Sequence, residues 1–295
     1  SLIYTLPGSD NSLKPIIIAA HIDVVPALET ADSGWLQAPF SGKIHDNYIW
    51  GRGAIDDKGS LIGIMEAAEY LLKSGLKPQR TLIFAFGHDE EIGGYQGAVK
   101  IAQHLKSKGI QAEFTLDEGG MLTQGIVAGV DFPVANINTN EKGYATFAFS
   151  TQDAGGHSSI PPADTAVARL ARALVAINNQ RLPAEIVSPV DKMLTQLAPA
   201  VPFGQRIALA NLWLFEPVLL KLFAQKKATA ALTQTTVAPT VFNAGDKENV
   251  LPRSASAKVN FRLLPGVTLK SLEQHLREVI NDPQIELSLG AFQSN

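Results

Sequence analysis

The sequence of 295 residues contains no cysteine, which excludes disulfide bonds and metal sites built on thiolates. Any bound metal ion must therefore be held by histidine and carboxylate side chains. The chain also lacks an excess of one charge, with 25 lysine and arginine residues against 28 aspartate and glutamate residues. Because nucleic-acid-binding domains carry clustered positive charge, this balance and the absence of a basic stripe argue against a nucleic-acid partner.

Long uninterrupted hydrophobic runs are also missing. The most apolar stretch, residues 207–223, is interrupted by Asn211, Glu216, Pro217 and Lys221. A membrane-spanning helix needs about 20 mainly apolar residues, so we interpret this stretch as a buried or lipophilic helical pair and predict no membrane span. No leader peptide is recognisable, but the chain starts abruptly in a strand-like segment, which favours a shortened N-terminus. The compartment therefore stays open between the cytoplasm and the periplasm or exterior.

The first part of the chain alternates buried-type strands with helices. Apolar runs predict strands at residues 16–20, 81–86 and 113–116. Apolar residues at helical spacing predict helices at residues 58–74 and 97–108. Apolar strands separated by helices are typical of a largely parallel α/β sheet.

After about residue 138 the pattern changes to half-exposed strands. A long apolar helical segment at residues 180–233 interrupts the order β-α-β-β-α-β, which is that of a split βαβ, or ferredoxin-like, domain. We therefore predict an α/β protein of two domains, with the boundary near residues 138–140.

Histidine and acidic side chains follow the predicted strands of the first domain, at the point where each strand ends. Ligands of parallel α/β sheets bind beyond the carboxyl ends of the strands, so these side chains should converge at one edge. One imidazole with five carboxylates carries too much negative charge for a cleft without cations, which predicts a pair of divalent ions that perform hydrolysis. The residues are His21 and Asp23, Asp56 in a glycine-framed loop, Glu90 and Glu91, and Asp117.

Each group has a simpler interpretation when it is taken singly. His21 could be a hydrogen-bonded structural histidine. The Asp56 and Asp57 pair could be acids favoured at a helix N-terminus, and Glu90 with Glu91 could form a solvated turn. These alternatives weaken jointly, because every cluster follows the same kind of strand.

Four motifs resemble the M20 metallopeptidase family, and their order and spacing both match it. They are AHIDVVP at residues 20–26, GRGAIDDKG at residues 51–59, DEEIGG at residues 89–94 and LDEGG at residues 116–120. The segments at residues 211–217 and 249–266 resemble the branch that contains carboxypeptidase S and N-acyl-amino-acid hydrolases. The resemblance implies a zinc-peptidase-like, mostly parallel sheet with an inserted ferredoxin-like lid domain. It assigns residues 1–138 to an incomplete catalytic, metal-binding domain, residues 139–290 to the lid and dimerisation domain, and residues 291–295 to the start of the return to the catalytic domain.

The same resemblance implies a ligand set for two divalent metal ions, zinc first, with cobalt or manganese as alternatives. Asp56 would bridge the two ions, through a peptide bond to Asp57 that is cis in the family. His21 and Asp117 would complete the shell of one ion, and Glu91 would bind the other.

Two further residues would assist the metal ions without binding them. The resemblance implies that Glu90 is the general base. It also implies that Asp23 holds the ring of His21, a role that the i, i+2 spacing on an extended segment supports independently. A metal-bound histidine usually donates its other N–H group to a carboxylate or carbonyl oxygen.

Three residues of the second domain are candidates for substrate contact. By resemblance, His157 in GGHSS reaches the active site of a partner subunit, in a homodimer formed through the lid, and contacts the oxyanion. Asn249 and Arg262 resemble residues that hold the substrate's carboxylate, a task that suits the planar arginine fork. The plainer alternatives are a surface turn, a turn asparagine and a strand-edge arginine.

One ligand of the family pattern has no match in this sequence. In the family, a histidine after the lid completes the shell of the ion that Glu91 binds, and no histidine here lies in a matching motif. We therefore expect the 295 residues to be a fragment, with weak occupancy of that metal position and low or no activity by itself.

The predicted function is a di-zinc hydrolase that cleaves an amide bond adjacent to a free carboxylate, in a peptide or an N-acyl amino acid. One alternative is a small-peptide dipeptidase or carboxypeptidase of the same family. The other is a catalytically inactive homologue that binds a metal or ligand, for which the general base Glu90 would have no use.

Overall fold

The computed structural model describes residues 1–30, 33–125 and 129–293, and its internal contacts divide the chain into two compact units. The first unit is Ser1–Gly119 and the second is Gly120–Asn295. The division therefore lies before residue 138, where the sequence pattern changes. The assignment of the two parts as catalytic and lid domains stays a prediction.

The first unit is built on a four-stranded sheet in the order β1-β5-β2-β6. Strand β2 is parallel to β5 and to β6, and only β1 runs antiparallel, so the mostly parallel sheet is confirmed. The elements of this unit are β1 (Leu2–Leu6), β2 (Ile16–His21), β3 (Lys43–His45), β4 (Tyr48–Trp50), α1 (Lys58–Lys73), β5 (Leu82–Gly87), α2 (Ala98–Ser107) and β6 (Thr115–Leu116).

Strand β5 forms the centre of this unit because its side chains are buried on both faces of the sheet. Phe84 and Phe86 pack on one face with the apolar side of α1, and Ile83 and Ala85 pack on the other with α2. A strand covered on both faces must be apolar at consecutive positions. This is why residues 82–86 form an unbroken apolar run in the sequence.

The second unit contains a four-stranded antiparallel sheet in the order β11-β13-β9-β14. With the helices α3 and α8, its strands follow the predicted β-α-β-β-α-β order along the chain. The elements are β7 (Met121–Thr123), β8 (Val134–Asn136), β9 (Gly143–Gln152), β10 (Gly156–His157), α3 (Ala166–Asn179), α4 (Val190–Leu197), α5 (Phe203–Ala210), α6 (Leu212–Phe223), α7 (Lys227–Thr233), β11 (Thr236–Ala244), β12 (Val250–Leu251), β13 (Ser254–Leu263), α8 (Leu269–Ile280) and β14 (Glu286–Gln293).

Only one face of the antiparallel sheet is covered by helices. Phe147 and Phe149 of β9 and Phe261 of β13 are buried against Leu170 of α3 and Leu272 of α8. Burial alternates residue by residue along β9 and β13, which is the period of a strand with one solvated face. None of the helices among the described residues combines the length and the apolar character that crossing a bilayer would need.

Short strand pairs were not visible in the sequence. The hairpins β3/β4 and β7/β8 and the ladder β10/β12 contain two or three residues per strand, and most of these residues are exposed. Exposed ladders of this length carry no hydrophobic period for sequence analysis to detect. The predicted strand at residues 113–116 is likewise shorter, since only Thr115–Leu116 pair with β2.

A buried arginine joins three elements of the second unit, and its loss is expected to destabilise the fold. Arg169 is 7% exposed and donates to the Asp164 carboxylate at 3.1 Å, to Thr151 Oγ1 at 3.0 Å and to the Gln152 carbonyl at 3.2 Å. Removing Arg169 leaves the buried Thr151 hydroxyl without its donor and the half-buried Asp164 carboxylate with one donor fewer. Since an unsatisfied buried polar group costs about 1–3 kcal/mol, Arg169→Met should lower the free energy of unfolding by about 2 kcal/mol, measured by urea denaturation.

The matched control is Arg172→Met, because Arg172 binds the same carboxylate at 2.8 Å from an exposed position. Exposed ion pairs contribute about 0–1 kcal/mol, so this variant should stay within that range. Equal losses for the two variants would show that burial of Arg169 is not what makes its ion pair important.

Candidate metal centre

The candidate centre lies where β2, β5 and β6 end, since these neighbouring parallel strands bring their following residues to one edge. Strand β2 ends at His21, β5 is followed by the 3-10 turn Glu90–Ile92, and β6 is followed by Asp117 and Glu118. The loop of residues 51–57 leads into α1 and supplies Asp56. Of the side chains predicted to converge beyond the carboxyl ends of the strands, the first unit brings His21 and Asp56 together.

His21 is the buried member of the cluster, with 3% of its surface exposed. Its Nδ1 donates to the backbone carbonyl oxygen of Asp23 at 3.0 Å. Because a carbonyl oxygen can only accept, the neutral ring keeps its proton on Nδ1 and presents the Nε2 lone pair to a cation. Nε2 lies 2.9 Å from Asp56 Oδ1 and 3.7 Å from Glu118 Oε2.

Asp23 holds the ring of His21 through its backbone, and its carboxylate has a second role that the sequence did not indicate. The carboxylate lies 3.4 Å from Nδ1 of His21. Its two oxygens also accept the backbone N–H groups of Glu90 at 3.1 Å and Glu91 at 3.0 Å. Burial alone would raise the pKa of Asp23, but these two hydrogen bonds lower it below its ordinary value. The side chain thus stays ionised and fixes the turn that carries Glu90.

The two neighbouring aspartates of the loop have different environments. The peptide bond between Asp56 and Asp57 is cis, as the resemblance implies. Asp56 is 67% exposed and directs Oδ1 at the His21 ring. Asp57 is 1% exposed and accepts the backbone N–H of His21 at 3.1 Å. Asp56 is therefore the member that is able to bind a metal ion, and Asp57 supports the strand end.

Among the described residues, the group that could hold a cation is His21, Asp56 and Glu118, whose ligand atoms all lie within 4.8 Å of one another. This group contains Glu118 and not Asp117, whose role as a ligand stays a prediction. The Asp117 carboxylate instead accepts the backbone N–H of Glu118 at 3.0 Å. LDEGG offers two adjacent acids, and the sequence contains no signal that chooses between them.

The other two predicted acids lie beside the cluster. Glu90 Oε2 is 3.9 Å from Nε2 of His21, within the immediate surroundings of a bound ion. Glu91 Oε1 accepts the backbone N–H of Val25 at 3.2 Å and is outside the group of converging ligand atoms. Its role as ligand of a second ion stays a prediction.

The electrostatics of the cluster fit a bound cation. Burial, followed by the charges of Asp57 and Asp56, raises the pKa of Glu118 to about 7. Burial also raises the pKa of Glu90; the nearby His21 acts in the opposite direction, and the charges of Glu91, Asp23 and Asp56 add to the rise. Carboxylates this close repel one another unless a proton or a cation is shared among them. One imidazole nitrogen with carboxylate oxygens is a donor set that suits zinc and related divalent ions.

The predicted substrate residues lie in the second unit, where two of them meet. His157 in β10 pairs with Val250 in β12, and the N–H of Ser158 donates to the Asn249 carbonyl at 3.2 Å. Arg262 lies on the uncovered face of the sheet, with its guanidinium 4.9 Å from the centre of the Tyr144 ring. Their predicted contacts with an oxyanion and a carboxylate remain predictions.

Zinc binding is expected to weaken as the pH falls below about 7. A ligand must be deprotonated to bind the ion, and the pKa of Glu118, raised to about 7, lets protons compete for it. The pKa of His21 is also raised: burial lowers it, but the hydrogen bond to Asp56 and the charges of Glu118 and Glu90 outweigh burial. Affinity should fall by about tenfold per pH unit for each displaced proton.

This pH dependence can be measured by titration calorimetry with Zn²⁺ at pH 6, 7 and 8. Repeating the pH 6 titration in buffers of different ionisation enthalpy counts the released protons, and at least one is expected per ion. An affinity that does not change between pH 6 and pH 8 would contradict the arrangement of these ligands.

Comparison with protein families and with curated proteins points to one family. The profile of "Peptidase family M20/M25/M40" matches residues 17–279. "N-fatty-acyl-amino acid synthase/hydrolase PM20D1" of Xenopus tropicalis is 41% identical over 290 residues, which cover 98% of this chain and 56% of that protein. "Probable carboxypeptidase S-like 2" of Dictyostelium discoideum is 42% identical over 290 residues, covering 98% and 55%. The chain thus spans about half the length of these relatives.

Solved structures share the fold at low sequence identity. Human carnosine dipeptidase 1 matches with a TM-score of 0.60 and 16% identity, covering 99% of this chain and 64% of that one. An M20 family metallo-carboxypeptidase from Sulfolobus solfataricus matches with a TM-score of 0.61 and 18% identity, covering 97% and 65%. These two likenesses show a shared fold.

Proposed function

The chain belongs to peptidase family M20/M25/M40, and from this premise we propose that it carries the metal-binding site of a hydrolase that cleaves an amide bond next to a free carboxylate. The observation that carries the proposal is the cluster of His21, Asp56 and Glu118, with Glu90 3.9 Å from the His21 ring. A carboxylate beside a set of metal ligands is what hydrolysis requires of a general base.

Two divalent ions, zinc in the first place, are the proposed cofactors. His21, Asp56 and Glu118 would hold one ion, and Asp56 with Glu91 would hold the other. The bound ions would supply Lewis acidity and lower the pKa of a water molecule toward neutrality. A Bacillus subtilis protein of similar fold, with a TM-score of 0.54, is described as a dinuclear metal-binding peptidase of this family, which supports the number of ions.

Glu90 would move the proton in this reaction. Its pKa is raised and therefore lies closer to neutral pH than the pKa of an ordinary glutamate, which favours proton transfer near neutral pH. It would accept a proton from the attacking water and return it to the leaving amine. The bonds from the Glu90 and Glu91 N–H groups to Asp23 would keep the carboxylate in place during both transfers.

We propose N-acyl amino acids as the substrate class, because several similar relatives are named N-fatty-acyl-amino acid hydrolases. Arg262 and Asn249 would hold the free carboxylate, and His157 would donate to the oxyanion in a homodimer formed through the second unit. Exposed apolar side chains on α5 and α6, including Phe203 at 74% and Trp213 at 81% exposure, support a preference for apolar acyl groups.

A small-peptide carboxypeptidase is the second candidate, because another similar relative is named a carboxypeptidase S-like protein. The two candidates share the metal site and differ in the group that lies before the scissile amide. One panel of substrates therefore distinguishes them.

The test is Zn²⁺ titration followed by hydrolysis of N-acyl amino acids of increasing acyl length and of dipeptides with the same C-terminal residues. Slow zinc-dependent cleavage of the acyl series is the expected result, since the ion that Glu91 would bind has no histidine ligand matched in this sequence. Faster cleavage of the dipeptides would favour the second candidate. Zinc binding with no cleavage of either series would indicate a ligand-binding homologue, and the absence of zinc binding would overturn the proposal.

A further inference from the structure

Lys58 is a charged residue of the GRGAIDDKG loop that has no role in the ligand set. It is the first residue of α1, and its Nζ donates to the backbone carbonyl oxygen of Ile22 at 2.5 Å. Within the part of the chain that the structure describes, its ammonium group forms no ion pair, although two aspartates precede it. The ammonium group of Lys58 therefore contacts the main chain between His21 and Asp23.

The backbone around Lys58 leaves room for this contact. Gly53 has a φ of +81° and accepts the N–H of Lys58 at 3.1 Å. A Cβ atom at Gly53 would lie 2.2 Å from Val24 Cγ1 and 3.4 Å from Lys58 Nζ. Both the positive φ and the close approach require glycine at this position.

Three hydrogen bonds hold the end of β2. The His21 N–H donates to the buried Asp57 carboxylate at 3.1 Å, and the Ile22 N–H donates to the Gly87 carbonyl at 3.0 Å. Lys58 binds the Ile22 carbonyl. Lys58 therefore restrains the peptide unit between Ile22 and Asp23.

That peptide unit orients two groups of the proposed metal site. The carbonyl of Asp23 fixes the proton on Nδ1 of His21, and its carboxylate binds the N–H groups of Glu90 and Glu91. A rotation of the peptide between Ile22 and Asp23 would displace both. We propose that Lys58 is a positioning residue for the metal centre, acting through the Ile22 carbonyl on Asp23, an inference that rests on the proposed function.

The sign of the effect separates positioning from simple electrostatics. A positive charge close to a cation site opposes cation binding, so removal of the lysine charge alone would tighten zinc binding. Removal of a group that orients ligands weakens it, by about 10–100-fold for residues that support metal ligands. The two roles therefore predict changes of opposite direction for the same substitution.

The experiment is Zn²⁺ titration calorimetry at pH 8 on the wild-type chain and the variants Lys58→Met and Lys58→Arg. Lys58→Met should weaken binding by about tenfold or more, and Lys58→Arg, which keeps a donor, should recover most of that loss. The matched control is Lys73→Met at the other end of α1, where an exposed ion pair with Glu69 is lost, and binding should change by less than about twofold.

Unchanged or tighter zinc binding by Lys58→Met, with an unfolding midpoint like that of the wild type, would overturn the inference. If Lys58→Met lowers the midpoint, the second variant is Lys58→Ala, which has no side-chain donor and favours the helix, and it should also weaken zinc binding.

A metal-free measurement keeps the inference separate from the proposed function. Hydrogen exchange of the Glu90 and Glu91 amides, which donate to Asp23, should be faster in Lys58→Met than in the wild type. If the wild type binds no zinc, the proposed function fails, and exchange still decides the role of Lys58. Unchanged exchange of both amides would overturn it.

Discussion

Replacing Glu90 by glutamine is expected to lower kcat by about 10²–10⁴-fold, the usual contribution of a general base. Glutamine has nearly the same shape but cannot accept the proton of the attacking water. Glu90 is bound to Asp23 through its backbone N–H, so the substitution leaves the turn in place. Its side chain is 54% exposed, and the free energy of unfolding should change by less than about 0.5 kcal/mol.

The measurement pairs hydrolysis kinetics with Zn²⁺ titration, on the substrate that the wild type cleaves fastest. Zinc affinity should stay within about tenfold of the wild type, because Glu90 is a neighbour of the ligands and not one of them. Glu69→Gln, an exposed change on α1, is the control and should leave both quantities unchanged. A Glu90→Gln variant that binds zinc normally and hydrolyses at the wild-type rate would exclude Glu90 as the base.

Exchanging Glu118 for glutamine is expected to weaken zinc binding by about 100-fold or more, since the loss of a direct ligand should exceed the 10–100-fold effect of residues that support ligands. The matched variant is Asp117→Asn. It removes the same charge one residue away, so the general electrostatic loss is similar in both. The Asp117 carboxylate accepts the backbone N–H of Glu118 and does not belong to the converging ligand atoms. Asp117→Asn should therefore weaken zinc binding by less than about tenfold.

Comparison of the two variants by Zn²⁺ titration at pH 8 therefore separates the loss of a metal ligand from the loss of a negative charge. The reverse order, with Asp117→Asn the more damaging change, would mean that Asp117 is the ligand, as the resemblance implies. Equal losses would mean that the two carboxylates act on the ion only through their charge.

Most of the fold was predictable because burial imposes a local period on the sequence. The helices predicted over residues 58–74 and 97–108 agree with α1 and α2 to within one residue at each end, and the strands β2 and β5 were located equally well. The strand predicted over residues 113–116 was two residues too long at its start, because the register with β2 contains only Thr115 and Leu116. Pairing depends on a distant strand, which no local window contains.

The candidate site was predictable in its location and in part of its membership. His21 and Asp56 converge as expected, and Glu90 lies beside them. The position of Glu118 beside His21 was not predicted, because the direction of the chain after a two-residue strand decides which of two adjacent acids meets the cluster. The two hydrogen bonds from the Glu90 and Glu91 N–H groups to the Asp23 carboxylate were also not predicted, since their partners are separated by 67 and 68 positions in the sequence.

The sequence by itself determined the family, the order of the elements and the edge of the sheet where the chemistry lies. It could do so because motif spacing and hydrophobic period are properties of short segments, and parallel strands always bring their carboxyl ends together. Only the tertiary structure decided that Glu118 joins His21 and Asp56, and that Lys58 reaches Ile22. Both contacts depend on backbone directions that are set by pairing between distant segments. A hydrogen bond needs its donor and acceptor about 3 Å apart, so a small change in those directions forms or breaks it, and the residue pattern does not determine them.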